Sequence, residues 1–371
     1  MDRKMLFTPG PVMTSAETKA ALMHPDMPHR RPAFERVFNS ARARLVKLLG
    51  ADDSYTCVLV TGSGSAANEC ALSSLVRPAE EAVVVHNGPF ADRLVEILRC
   101  YGVKVHLAQT PWGVLPDLAA LERMLVGNPR ISWVCSVWHE TGSGMRNPVK
   151  AINEVARKHG RRTFVDAVSA FGGEDIHVLR DEIDVVTSVG NKAVGGMTGI
   201  AFVLARRSTV PALGPDMPRR NMYLNLQSHM KWADEHNQTP NTPAVTMIVG
   251  FDHALKELTE ETLPGRIRRY QACAKVIRDG ARQMGLKLLL PDEQFSNTVT
   301  SIFLPPGIGV DDFIEALDER GYVVYPGKGI YHEQNVFQIA NMGRITPEDC
   351  RTLLRVVGET IELMRQGKKS A

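Results

Sequence analysis

The strongest constraint on this 371-residue chain is one pattern repeated along its first half. A short apolar run meets a polar or glycine-bearing turn, and a helical segment follows. Apolar runs fall at residues 55–60, 81–86, 103–108, 133–137, 163–165 and 184–189, with helical spacing at 117–125 and 149–159 among the intervening segments. Strand-length apolar runs alternating with helices imply an α/β fold with a mostly parallel, doubly wound sheet. Ligands of such sheets sit at the carboxyl edge of the strands.

Two strand ends carry unusual chemistry. Asp166 closes the run Thr163-Phe164-Val165, and Lys192 follows 26 residues later, between the apolar runs 184–189 and 200–205 and beside Gly195, Gly196 and Gly199. An ammonium between buried segments is costly, and burial lowers its pKa and frees the amine as a nucleophile toward carbonyls. A solvated loop lysine is the ordinary alternative, and the strand-ending Asp166 weighs against it. A carboxylate for a protonated pyridine nitrogen, with a lysine for an aldehyde carbon, is the pair that pyridoxal 5'-phosphate requires. Thr61-Gly62-Ser63-Gly64-Ser65 follows the first strand and opens a helix. There the backbone N–H groups of Gly64, Ser65 and Ala66 form a candidate phosphate cup. The segment does not complete G-x-G-x-x-G, which makes a nicotinamide enzyme a poor alternative.

Seven pieces in order carry a resemblance: 6–11 (Leu-Phe-Thr-Pro-Gly-Pro), 61–65, 86–88 (His-Asn-Gly), 139–141 (His-Glu-Thr), 165–169 (Val-Asp-Ala-Val-Ser), Asn191-Lys192 and 325–328 (Tyr-Pro-Gly-Lys). Together the chain resembles class V (fold type I) aminotransferases, in the branch holding alanine–glyoxylate and 2-aminoethylphosphonate–pyruvate aminotransferases. The resemblance implies a large cofactor domain at 16–262, a smaller α+β domain at 263–371, and an extended segment at 1–15 that joins the small domain and the active site. It implies that Lys192 holds pyridoxal phosphate covalently and shuttles a proton, with Asp166 on the ring nitrogen and Val168 beside it. Phe90 stacks on the ring, and Thr141 bonds the phenolic oxygen. Glu140 and His139 are either cofactor neighbours or structural. Thr242 reaches across a homodimer to the neighbour's cofactor phosphate, making the sites composite. The substrates implied are a small aminophosphonate and an oxo acid, and 325–328 leans toward the aminoethylphosphonate subgroup.

One departure stands out. Gln338, in Phe337-Gln338-Ile339-Ala340, occupies the place of an arginine that the resemblance expects to fork onto a substrate anion. Arg344, Lys328, Arg30 and Arg31 are the candidate replacements. Arg30 and Arg31 serve equally well as bridges between subunits. The departure opens a second reading, a pyridoxal-phosphate lyase that releases ammonia from a related aminophosphonate and needs no oxo acid. A catalytically silent binding protein is a third, against which the intact Asp166 and Lys192 speak.

Composition narrows the remainder. Hydrophobic residues make up 44% and charged ones 23%, as in an ordinary globular enzyme. A net charge of +3, without basic runs interleaved with aromatics, argues against nucleic acid. Six cysteines lack C-x-x-C spacing, so no zinc site is expected and reduced thiols are. The absence of a signal-like or membrane-length apolar run makes the cytoplasm the expected compartment. The short charged end, 367–371, is expected to fray.

Overall fold

The computed structural model describes residues 4–367, so the expected fraying of 367–371 falls, Gly367 aside, outside the described residues. The central sheet has seven strands: β1 (Tyr55–Thr61), β2 (Glu81–His86), β3 (Lys104–Gln109), β4 (Ile131–Val137), β5 (Arg162–Asp166), β6 (Val185–Val189) and β7 (Ile200–Arg206). Their order is β1-β7-β6-β5-β4-β2-β3. Every pairing is parallel except those of β7, which runs antiparallel to both β1 and β6. The reversal has a simple cause. Only residues 190–199 connect β6 to β7, and a parallel return needs a crossover of about a dozen residues or more. The short turn that forces the reversal also carries Lys192.

Helices cover the sheet, among them α1 (Pro32–Leu48), α2 (Gly64–Leu75), α3 (Pro89–Cys100), α4 (Leu118–Gly127) and α5 (Val149–Lys158). Phe34, Leu45, Val58, Phe164, Phe202 and Phe251 belong to the main core between these layers. Each such side chain contributes roughly 1.5–3 kcal/mol on full burial. Further on, α6 (Leu226–His236), α7 (Val245–Glu261) and α8 (Leu263–Gln283) lead to the small domain.

The small domain holds an antiparallel sheet of β8 (Val299–Phe303), β9 (Tyr325–Pro326) and β10 (Val336–Ala340), with β10 in the middle. Helices α9 (Val310–Glu319) and α10 (Pro347–Gly367) pack beside it. Its core gathers Phe313, Phe337 and Leu353 and also takes in Phe7 from the other end of the chain. Met5–Leu6 pairs in parallel with Tyr322–Val323, so the N-terminal segment is tied to the small domain before it crosses the cavity described below.

Three details depart from the sequence pattern. Within 211–243, a polar stretch punctuated by proline, α6 forms, its first turn capped by the Asn225 side chain accepting from Ser228 N. Proline and glycine on both sides hide this capped helix from a coarse reading. The apolar run 287–290 forms only a single bridge, Leu288 to Ile302. The run 322–325 divides at Val324, one half pairing with the N-terminal segment and the other with β10.

Candidate active site

Asp166 ends β5, and Lys192 sits in the turn after β6, so both stand at the carboxyl edge of adjacent strands. Asp166 is 5% exposed; its Oδ2 accepts from Asn68 Nδ2 at 2.6 Å and its Oδ1 from Val168 N at 2.8 Å. Asn68 in turn accepts from the Thr187 hydroxyl of β6, which fixes the orientation of the amide. Burial raises the Asp166 pKa; the two hydrogen bonds and the charges of Arg93 and Lys192 oppose that shift. Both direct partners are neutral, so the carboxylate has room for one charged donor. A protonated ring nitrogen is such a donor.

The Lys192 ammonium donates to Pro9 O at 2.5 Å. Burial lowers its pKa to about 8; Asp166 opposes the shift, and the like charges of Lys328 and Arg93 add to it. Gly10, with φ +124°, makes the approach possible, since a Cβ there would lie 3.2 Å from Lys192 Cγ. The next carbonyl, Ala193 O, accepts from Tyr270 Oη at 2.8 Å and Arg266 Nη1 at 3.2 Å. The Tyr270 hydroxyl also accepts from Gly343 N at 3.0 Å, clamping the lysine turn to the small domain.

The phosphate cup takes shape at the start of α2. The N–H groups of Gly64 and Ser65 precede the first intrahelical bond and find no acceptor among the described residues. Ala66 differs from expectation, because its N–H is engaged by Ser63 O at 2.9 Å. Gly64 is needed for close packing: a Cβ there would stand 2.6 Å from Val168 Cγ2. Arg93 Nη1 donates to Ser65 Oγ at 3.0 Å and brings a cation to this helix end.

Phe90 opens α3, and its ring faces Lys328 Nζ at 4.6 Å and the Arg93 guanidinium at 5.2 Å from the centroid. Glu140 holds that helix in place, accepting from Phe90 N at 3.2 Å and Ala91 N at 2.8 Å. Burial raises Glu140 to about 8. His139 Nδ1 donates to Ser169 O at 3.1 Å, and burial pushes its pKa down to about 3, which keeps the ring neutral. Thr141 and Ser169 share a hydroxyl hydrogen bond of 2.6 Å.

A cavity of ≈ 280 Å³ lies between these groups, and Pro9, Phe90, Thr141, Lys192, Lys328 and Gln338 are among the residues that line it. Of the cations proposed to replace the expected arginine, only Lys328 borders this cavity. Arg344 is exposed and outside it, and so is Arg31 at the start of α1. The Arg30 guanidinium is committed elsewhere. It donates to Gln238 Oε1 at 2.8 Å, Thr239 O at 2.7 Å and Pro240 O at 3.0 Å, and covers the Trp232 ring at 4.4 Å. Thr242 is exposed and makes no side-chain hydrogen bond with a described residue.

Sequence reasoning missed Arg93, Asn68, Ser169 and Tyr270. Arg93 had a signal, since three residues after Phe90 on one helix puts both on one face. Asn68 had a weaker one, as an amide in a helix of mostly small residues. Pyridoxal phosphate suits this arrangement: a buried carboxylate with neutral partners, an amine with a lowered pKa, two free N–H groups beside an arginine, and a half-buried aromatic ring.

Comparison with known proteins gives a consistent picture. The family described as Aminotransferase class-V matches residues 11–345. The chain is 33% identical over 359 residues to the 2-aminoethylphosphonate–pyruvate transaminase of Salmonella schwarzengrund (strain CVM19633), covering 95% of this chain and 96% of that protein. It is 32% identical, with the same coverage, to the protein of that name from Klebsiella pneumoniae subsp. pneumoniae. In three dimensions it resembles ureidoglycine–glyoxylate aminotransferase from Bacillus subtilis, with TM-score 0.91 and 24% identity over 98% of this chain and 94% of that one. Pyridoxamine–pyruvate aminotransferase from Mesorhizobium loti gives TM-score 0.91 and 24% identity over 98% and 93%.

Proposed function

Because the chain belongs to the class-V aminotransferase family, and so to the transaminases that work with pyridoxal phosphate, we propose that it exchanges an amino group between 2-aminoethylphosphonate and a small oxo acid such as pyruvate. The observation that carries this reading is a surplus of positive charge at the cavity. Lys192, Lys328 and Arg93 stand close enough for the last two to depress the first, and none forms an ion pair with a described residue. Arg93 lies by the phosphate cup, which leaves Lys328 on the cavity wall for a second anion. A phosphonate supplies that anion, and the names of the two relatives support the choice.

When bound, pyridoxal phosphate supplies an electron-poor ring that accommodates the electron pair left when a bond to the substrate carbon breaks. The chain does the rest. Asp166 would pair with the ring nitrogen and favour its protonated form, Phe90 would lie against the ring, and the first turn of α2 with Arg93 would hold the phosphate. Thr141, fixed by Ser169, would donate to the ring oxygen. Lys192, whose amine is partly free near neutral pH, takes the proton from the carbon bearing the amino group. Lys328 fixes the substrate's far end so that this carbon faces Lys192.

The test is incubation of the holoenzyme with 2-aminoethylphosphonate, with and without pyruvate, assaying alanine, phosphonoacetaldehyde and ammonia. Pyruvate-dependent alanine and aldehyde are expected. Ammonia release independent of pyruvate would replace this reading with the lyase, which the neutral Gln338 favours.

A further inference from the structure

Gln338 lies in the middle strand of the small sheet and is 3% exposed. Its amide orientation is forced. Nε2 donates to Thr141 O at 2.8 Å and Gly142 O at 3.0 Å, and turning the amide over would set its oxygen against two carbonyls that can only accept. Both N–H groups are thus spent on the turn that carries Thr141, and Gln338 has no donor left for a substrate anion. Among the described residues, Lys192 and Lys328 are the cations that line the cavity. Lys192 is the residue that takes the cofactor, and Arg93 donates to Ser65 beside the phosphate cup. Lys328 remains. It stands between two glycines, is exposed, and rests its Nζ 4.6 Å from the Phe90 ring centroid. Glu140, close enough to act on that charge, is engaged by Phe90 N and Ala91 N. Burial raises Glu140 to about 8, so its carboxyl is mostly neutral at pH 7.

A transaminase binds its two substrates in turn, and here their anions stand differently. In 2-aminoethylphosphonate a methylene separates the anion from the reacting carbon, whereas in pyruvate and alanine the carboxylate is attached to that carbon directly. Beside the nitrogen and the hydrogen that faces Lys192, the amine-bearing carbon has two more positions. In 2-aminoethylphosphonate one holds hydrogen and the other the phosphonomethyl group; in alanine one holds the methyl and the other the carboxylate. Both anions can therefore point the same way. A lysine's flexible stem and point charge can follow an anion over the length of a methylene, which a planar guanidinium fork fixed at one distance does less well. We propose that Lys328 is the shared anion-binding group of both half-reactions, holding the phosphonate of one substrate and the carboxylate of the other in turn, so that the cavity selects substrates with a single anionic group. A second anion finds no partner. The inference rests on the transaminase reading and deepens it: oxo acids of the pyruvate kind are favoured over dicarboxylic ones, and donors with one anion over donors with two.

Binding and turnover by the holoenzyme test it. Ethylphosphonate and propionate lack the amine, so isothermal titration with them reads binding without turnover. In the wild type each should displace the other. Lys328→Met should weaken both by about tenfold or more, the size expected for loss of a charge-assisted hydrogen bond. Loss of one, with the other held within about twofold, would assign the two anions to different groups and overturn the proposal; so would binding of both together. Turnover reads the selection. Oxaloacetate is pyruvate with a carboxylate added, and 2-amino-3-phosphonopropionate is 2-aminoethylphosphonate with one added. In each pair kcat/KM should favour the single-anion member by about tenfold or more, because an anion taken from water without a partner costs at least that much. Equal use of the two-anion members would reveal a second cation and overturn the proposal, even if Lys328→Met fails to fold. Suppose 2-aminoethylphosphonate and pyruvate exchange no amino group while both probe anions still depend on Lys328. Then the transaminase reading falls and the shared anion site stands.

Discussion

Lys192 must be hidden enough to lose its proton near neutral pH, and that hiding opposes folding. Its pKa falls from the ordinary 10.5 to about 8. In cofactor-free protein the unfolded chain therefore binds more protons than the folded one between those values, so stability rises with pH across that window. Below pH 8 the penalty is fully present; as pH climbs toward 10.5 it disappears. Lys192→Met should stabilise the cofactor-free protein at pH 7 by about 2 kcal/mol, less than the full shift implies because the residue keeps some contact with water. The gain should shrink steadily above pH 8. Thermal melts of both proteins from pH 6.5 to 10 measure this, and a gain independent of pH would show that ordinary packing, not charge burial, was responsible. His139, driven down to about 3, should contribute nothing to that curve.

Among the elements, α8 does the least obvious work. It lies far in sequence from the cofactor residues, yet Tyr270 bonds both the carbonyl after Lys192 and the Gly343 amide. Arg269 adds bonds to Gly343 O at 2.9 Å and Ile345 O at 2.8 Å. One helix thus fixes the lysine turn against the small domain that carries Gln338. Tyr270→Phe keeps the ring but leaves the buried Gly343 N–H unpaired, at a cost of roughly 1–3 kcal/mol. A lower melting temperature should come with slower covalent capture of pyridoxal phosphate, trapped with borohydride and read by mass. An unchanged capture rate would mean that the turn holds its shape without the clamp.

At the scale of the molecule, Thr242 is exposed and its side chain makes no hydrogen bond with a described residue of its own chain. The loop before it is fixed by Arg30 bonding 238–240, and Ala244 N just after it donates to Thr61 Oγ1 at 3.0 Å. Held at both ends, the loop presents Thr242 outward. This suits a two-fold dimer in which each chain completes its partner's phosphate cup. Mixed Lys192→Ala and Thr242→Ala chains, each inactive alone, should then recover activity, because one of the two sites in every hybrid regains both groups. No recovery after confirmed subunit exchange would restrict the site to a single chain.

The sequence by itself determined the alternation that builds the sheet, the strand-end positions of Asp166 and Lys192, and the glycine turn that opens α2. Each of these is local: periodicity states which faces are buried, and a glycine or a strand-ending polar residue marks where the backbone must turn toward a ligand. The tertiary structure decided the rest. Which cation borders the cavity depended on where 325–328 folds back, and the sequence could only offer four candidates. Arg93 and Asn68 acquired their places through Ser65 and Asp166, partners supplied by other elements. Gln338 is the clearest case. Its identity was legible, but the direction of its amide was set by two carbonyls 197 and 196 residues away. A side chain's chemistry is written in the sequence, whereas which of its atoms faces a ligand depends on the acceptors that folding brings to its other side.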